Sequence, residues 1–207
     1  MKKICIIDYG LGNLHSVQRA FEHCGATVKI SSSPLEIINS DRIVIPGVGA
    51  YGEGMNNLRN FNLIEPIKEF VKSSKPVLGI CLGMQLMLDF GEENGHHEGL
   101  SLIPGKVSLL SNFKKSEDLL KLPHIGWSKI IKASSSIELL FPNEDWMYFL
   151  HSYICLPNDK KHLLAVAYYN EIEIPSIISN DNIFGCQFHP EKSGEAGLSF
   201  IRSFLKI

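Results

Sequence analysis

The chain has 207 residues, 44% of them hydrophobic, with 20 Lys+Arg against 22 Asp+Glu for a formal net charge of −2. That is enough apolar material for one well-filled domain, and it excludes a disordered chain. The near-neutral balance argues against a basic nucleic-acid footprint, and no apolar run reaches the roughly eighteen residues that a bilayer-spanning helix needs.

Met1-Lys2-Lys3 resembles the start of a signal peptide, but the apolar run behind it is short and broken by Asp8. Lys3–Ile7 reads as a buried strand ending at Asp8-Tyr9-Gly10. Asn13 is placed to cap a helix that carries Leu14, Val17, Phe21 and Cys24 at helical spacing and stops at Gly25. Ala26–Ser31 and Arg42–Ile45 read as strands two and three, the latter closed by Pro46-Gly47. A helix carries Ile64, Ile67, Phe70 and Val71, and Pro76–Ile80 is a further strand running into a helix over Leu82–Leu88. Strand and helix alternating at this cadence imply βαβ units around a parallel sheet covered on both faces. Beyond Gly99 the texture changes, and Met147–Cys155 and Leu163–Tyr169 read as antiparallel strands extending or flanking that sheet. Leu198, Ile201, Phe204 and Leu205 share one face of a C-terminal helix. With no repeat or linker, the expectation is one α/β domain over residues 1–207: an open, mostly parallel sheet, helices on both faces, and an added antiparallel β-rich portion. The five cysteines (Cys5, Cys24, Cys81, Cys155, Cys186) are an odd, scattered set that suits a reducing compartment, so a soluble cytoplasmic protein is expected.

The sharpest local feature is Gly79-Ile80-Cys81-Leu82-Gly83. A buried strand runs straight into Cys81 and then into a helix, with a glycine two residues to either side, as in a nucleophile elbow. The turn sets Cys81 at a helix N-terminus, whose positive end favours the thiolate, the form competent to attack. The other four cysteines sit in apolar patterns without that frame and read as core. A thiol nucleophile needs a base and the base an orienting group. Phe188-His189-Pro190-Glu191 supplies both, because in an extended segment Glu191 projects to the same side as His189. The glycine-rich run Ile45–Gly54 reads as a loop after strand three that can turn backbone N–H groups toward an oxyanion, with Gly49 and Leu82 as donors. Both loops leave carboxyl ends of strands, where open α/β sheets bind ligands. Gly10-Leu11-Gly12 is not a dinucleotide fingerprint, because His15 stands where its third glycine belongs, and no Walker-type loop occurs. His96-His97-Glu98 reads as a solvated loop, since adjacent residues rarely converge on one ion; neither a metal nor a cofactor is expected. His124, His151 and His162 stay ambiguous, and Trp127 and Trp146 read as core or interface.

With these residues the chain resembles the class I (triad-type) glutamine amidotransferases, on the elbow Gly79–Gln85 and the run Gln187–Glu191. The resemblance also covers Pro46–Ala50 and Tyr148–Tyr153, and Asp8–Leu14, His124–Trp127 and Pro190–Ser193 resemble the branch of that family formed by amidotransferase subunits of imidazole glycerol phosphate synthases. The resemblance implies that Cys81 attacks the side-chain amide of glutamine, that His189 passes a proton to the departing ammonia, and that Glu191 holds the imidazole. It implies further that Gly47, Gln85, Glu93, Ser152 and Tyr153 hold glutamine, and that Asn13, Trp127 and Lys192 lie at the interface with a (β/α)8 cyclase subunit that uses the ammonia in histidine biosynthesis. The motifs fill the chain from Asp8 to Ser193 and leave no room for a synthase domain, so a heterodimer is expected, without nucleic-acid or membrane partners. That branch usually has Met at position 125 and Asn at 128, where this chain has Ile125 and Ser128. The departures keep open a paralogous subunit feeding another synthase, such as one in surface-sugar biosynthesis. A stand-alone cysteine hydrolase or a binding module is the third reading.

Overall fold

The computed structural model describes residues 2–114, 120–134 and 145–207. The first part of the chain alternates β1 (Lys3–Ile7), α1 (Leu14–His23), β2 (Thr27–Ser31), α2 (Pro34–Ile38), β3 (Arg42–Ile45), α3 (Tyr51–Asn60), α4 (Ile64–Lys72), β4 (Val77–Ile80) and α5 (Leu82–Leu86). The remainder is strand-rich, with β5 (Phe90–Gly91), β6 (His97–Glu98), β7 (Gly105–Leu109), β8 (His124–Lys129), β9 (Ile131–Lys132) and β10 (Trp146–His151). After these come β11 (Tyr153–Pro157), β12 (Leu163–Tyr169), β13 (Ile172–Asn180), β14 (Ile183–Cys186) and α6 (Gly194–Phe204).

The main sheet runs β2-β1-β3-β4-β14-β13-β12-β9. From β2 to β14 the neighbours are parallel, and from β14 to β9 they are antiparallel. β3 and β4 are buried along their whole length, which is why RIVI and VLGI read as continuous apolar runs headed by one arginine rather than as alternating ones. Successive residues still point to opposite faces. Ile4, Ile6, Val44 and Leu78 meet Phe21 of α1 and Phe200 and Phe204 of α6 on one face. Cys5, Ile7, Ile43, Ile45 and Val77 meet Met55 and Leu58 of α3 and Ile67 and Phe70 of α4 on the other. Two smaller sheets, β10-β8 and β11-β7-β5-β6, flank the main one. Among the described residues no helix is long and apolar enough to cross a membrane.

The structure departs from the sequence expectation in several places. Asn13 does precede α1, but its side chain makes no cap hydrogen bond. The glycine-rich segment is a loop only as far as Ala50, and from Tyr51 it is α3. Its glycines serve close packing inside a helix: a Cβ on Gly52 would lie 2.7 Å from the His97 ring, and one on Gly54 3.1 Å from Leu86. The helix after Cys81 ends at Leu86, not Leu88. The apolar segment Met147–Cys155 is two strands in two different sheets, parted at Ser152.

Arg42, in β3, is only 2% exposed, and its guanidinium donates from Nε to Phe204 O at 3.3 Å and from Nη2 to Leu205 O at 3.2 Å. A cation thereby satisfies carbonyls at the end of α6 that the helix itself leaves unpaired. Arg42→Met keeps the apolar stem and removes the donors, and it is expected to lower the unfolding free energy by about 2 kcal/mol. Urea titration checks this as a shift of midpoint at constant slope.

Candidate active site

β4 delivers the chain to Cys81, whose backbone has φ 52° and ψ −107°, a conformation that a side-chain-bearing residue adopts only when its surroundings enforce it. The Cys81 N–H donates to Cys186 O at 2.8 Å, which extends the β4–β14 ladder to the turn itself. The flanking glycines are required by space. A Cβ on Gly79 would lie 2.7 Å from the backbone of Gly83, and one on Gly83 would collide with the carbonyl of Ile45. α5 therefore starts pressed against the end of β3, and the Cys81 side chain is turned into a cavity of about 250 Å³. Its sulfur accepts from Gln187 Nε2 at 3.6 Å, and as a thiol it reaches Leu150 O at 3.7 Å.

His189 follows β14, which lies beside β4 and runs parallel to it. Its backbone is held by a bond from its N–H to Tyr148 O at 2.9 Å and by the Ser193 hydroxyl on its carbonyl at 2.7 Å. Its Nδ1 meets Glu191 Oε1 at 2.9 Å, with both side chains 2% exposed. The segment is not extended throughout, as the spacing suggested: Pro190–Lys192 form a 3-10 turn, and Pro190 opens it. Nε2, buried and without a hydrogen-bond partner, is the ring nitrogen left to exchange a proton. Burial alone would push the imidazole down, but the sulfur of Cys81 and the carboxylate of Glu191 outweigh it and carry it from 6.5 up to about 10.

Gly49, Leu82, Gln85, Glu93, Ser152 and Tyr153 line the cavity together with Cys81. Gly49 has φ 121°, a conformation open to glycine, and sits beside the half-exposed Val48. The Leu82 N–H points at Gly47 O at 3.4 Å, a long bond that occupies one of the two expected oxyanion donors. Gly47 itself stands behind the cavity wall, where a Cβ would come within 2.5 Å of the Tyr9 hydroxyl. Glu93 accepts the Tyr51 N–H at 2.7 Å, so the start of α3 orients its carboxylate. His151 and Leu150 also line the cavity, although sequence alone left the one ambiguous and gave the other no role. His151 Nδ1 donates to Tyr153 O at 2.9 Å, and its Nε2 meets His124 Nδ1 at 3.0 Å; His124 Nε2 meets the Ser128 hydroxyl at 3.0 Å. Burial holds both rings neutral, His124 down at about 4 and, with His124 adding to it, His151 at about 3.

Of the residues expected at an interface, Asn13 and Lys192 are exposed, and Trp127 is 52% exposed. Trp127 pairs across the β8–β10 ribbon with Tyr148, their rings 5.9 Å apart, and Lys192 Nζ lies 6.0 Å over the Tyr148 ring. His96 packs on Phe90, with ring centroids 4.7 Å apart, while His97 lies against Gly52.

A family model described as glutamine amidotransferase class-I matches residues 5–207. The chain is 47% identical over 213 residues to imidazole glycerol phosphate synthase subunit HisH 1 of Legionella pneumophila (strain Paris), with all of both chains covered. To subunit HisH of the same synthase from Lactococcus lactis subsp. lactis (strain IL1403) it is 46% identical over 209 residues, covering 100% of this chain and 99% of the other. A chain of the PurLQS structure from Thermotoga maritima superposes with TM-score 0.76 at 18% identity, covering 100% of this chain and 99% of that one. The glutaminase domain of Trypanosoma brucei CTPS, with bound acivicin, superposes with TM-score 0.65 at 16% identity over 100% and 94%. At such identities the two superpositions speak for the fold alone.

The raised His189 value has a definite sign. The imidazolium's stabilisation is fully present below the unfolded-state value of 6.5 and is lost as pH rises toward 10. Histidine-selective NMR is therefore expected to find the His189 ring cationic at pH 7 to 8, outside the usual histidine range. In Cys81→Ala, which lacks the sulfur, the same ring is expected to titrate at lower pH.

Proposed function

The chain belongs to the class-I glutamine amidotransferases, and on that premise we propose that it is the glutaminase subunit of an imidazole glycerol phosphate synthase. It hydrolyses glutamine to glutamate and ammonia, and a (β/α)8 cyclase subunit uses the ammonia to make imidazole glycerol phosphate and aminoimidazole carboxamide ribotide. The observation that carries this reading is a strained cysteine lining the cavity whose sulfur acts on the imidazole of a buried His189–Glu191 pair at 2.9 Å, within a chain related over its full length to such subunits. The family match over 5–207, with strands from both halves of the chain in one sheet, supports a single amidotransferase domain over 1–207.

In the proposed mechanism the Cys81 sulfur adds to the side-chain amide carbon of glutamine. The N–H groups of Gly49 and Leu82 meet the developing oxyanion, Leu82 after release from Gly47 O. The imidazolium of His189, steadied by Glu191, protonates the leaving nitrogen as ammonia. The neutral ring then takes a proton from water, which cleaves the thioester to glutamate. Glu93 offers a carboxylate to the α-ammonium of the substrate, while Gln85, Ser152 and Tyr153 complete its binding and Gly47 backs the cavity wall without lining it; no cofactor enters. Ammonia leaves toward the cyclase, which docks on the β8–β10 ribbon with Trp127, flanked by Asn13 and Lys192. The exposure of Ile125 (57%), Trp127 (52%) and Trp146 (54%) on one ribbon supports that choice of surface. Ser128, a departure from the branch pattern, hydrogen-bonds His124 on the ribbon's buried side, so the substitution lies away from the partner-facing surface and does not favour a paralogous synthase.

Cys81→Ala is expected to abolish glutamine-dependent turnover by the reconstituted complex while leaving ammonia-dependent turnover intact; surviving glutamine use would refute the nucleophile. Adding the cyclase and its ribotide to the wild-type chain is expected to raise glutamate release, and no stimulation would remove the histidine-pathway assignment. Trp127→Ala is expected to weaken cyclase binding by about tenfold, measured by titration calorimetry.

A further inference from the structure

Gln187 was noted in the sequence only as part of the run that ends in His189 and Glu191. It is fully buried, its backbone N–H donates to Ser176 O at 3.0 Å, and its side chain sits between Gln85 and Cys81. A buried amide of this kind has one oxygen and one NH2 end, and which end meets the sulfur decides what it can do.

The surrounding bonds settle the orientation. Tyr153 O accepts from His151 Nδ1 at 2.9 Å and from Gln85 Nε2 at 3.3 Å. Gln85 Nε2 also donates to Gln187 Oε1 at 3.3 Å, so both of its hydrogens are directed at acceptors. Flipping Gln85 would set an oxygen against the Tyr153 carbonyl, and flipping Gln187 would set two NH2 groups against each other. The oxygen of Gln187 therefore faces Gln85, and its NH2 faces Cys81 Sγ at 3.6 Å.

We propose that Gln187 is a further catalytic residue, whose side-chain amide donates to the Cys81 sulfur, favours its anionic form and aims it into the cavity. This rests on the reading of Cys81 as the nucleophile. The contribution falls at two points. Before attack, an N–H···S⁻ bond favours thiolate over thiol, against the Leu150 carbonyl at 3.7 Å, which can only accept from the thiol. In the second half-reaction water adds to the thioester carbon and gives its proton to His189; the C–S bond breaks and its electron pair returns to sulfur, where the same amide receives it. The chain of donors has one direction, from the Ser128 hydroxyl through His124 and His151 to Tyr153 O, where Gln85 joins and fixes Gln187.

Among the described residues, the titratable groups around the sulfur are His189 with Glu191, Tyr9, Cys155 and Cys186, and Glu93, His151 and Tyr153 line the same cavity. Burial drives Tyr9, Cys155 and Cys186 upward, helped by the charge of Cys81 and, at Cys186, first by that of Glu191. Those three stay neutral between pH 7 and pH 9 and add no charge beside the sulfur over that range.

The test is Gln187→Met, which keeps the length of the side chain and removes the donor. The readouts are alkylation of Cys81 by iodoacetamide, followed by mass spectrometry of its peptide, and glutamine hydrolysis by the complex with cyclase. Alkylation is expected to fall by about tenfold at pH 7, the size of one charged hydrogen bond, and to recover toward the wild-type rate at pH 9. The kcat is expected to fall with KM retained. A wild-type rate at pH 7, or a deficit that persists unchanged at pH 9 as simple misplacement would give, overturns the proposal. Should Gln187→Met fail to fold, NMR of the wild-type side-chain amides replaces it. The Gln187 NH2 resonance is expected to move upfield in Cys81→Ala while that of Gln85 holds, and an unmoved Gln187 resonance counts against the proposal. Cys81→Ala also separates the two readings. If it still hydrolyses glutamine, the nucleophile is wrong; if it is inactive while Gln187→Met behaves as wild type, only the role of Gln187 falls.

Discussion

The turn at Cys81 is the constraint on which the rest depends. A residue with a side chain is held at positive φ because β4, the start of α5 and the end of β3 meet with no room for alternatives. Strain of this kind costs on the order of 1–3 kcal/mol and persists only when packing over-determines it. Here the over-determination is visible on each side. Gly83 lies against Ile45, Gly79 against Gly83, and the Cys81 N–H is tied to β14. Because β4 lies between β3 and β14, the same turn sets the cysteine between the loop after β3 and the segment after β14. The glycine loop, the cysteine and the histidine thus come from three adjacent strands, and their meeting follows from strand order.

The buried polar groups form a second layer of organisation. Cys81, His189 and Glu191 would be costly to bury separately, since an isolated charge in an apolar interior carries a large desolvation penalty. Together they compensate one another, which is why His189 moves upward although burial pushes it down. The His124–His151 pair shows the opposite outcome: their hydrogen-bond partners are neutral, burial prevails, with His189 adding to it at His151, and both rings stay uncharged. Two histidine environments a short way apart are therefore driven in opposite directions, one able to donate a proton and one suited to fixing geometry.

The β8–β10 ribbon joins these layers to the outside. Its inner positions, His124, Ser128, Phe149 and His151, are buried and pack or hydrogen-bond inward, with His151 reaching the cavity wall, while Ile125, Trp127 and Trp146 face outward. Strand alternation alone accomplishes this division. The chain then breaks at Ser152 and β11 enters a different sheet, so one short segment serves both the ribbon and the cavity wall.

Much of this was legible in the residues. β1, β3, β4, α1, α4, β12 and α6 follow from apolar runs and helical spacing, because those patterns reflect local burial. The glycine-framed Cys81 and the His-Pro-Glu triplet marked a candidate site, since a tight turn and a buried base carry local signatures. The start of α3 was hidden, because its glycines answer to His97 and Leu86, far along the chain. The split at Ser152 was hidden as well, since an apolar strand does not reveal which sheet it joins. Gln187 was named in the sequence only for its place beside His189, and its meaning lies in Gln85 and Cys81, each about a hundred residues away. Local pattern thus determined the elements and the chemical types at hand. Only tertiary structure decided which nitrogen faces which sulfur, because hydrogen-bond direction is settled by the partners that folding brings together.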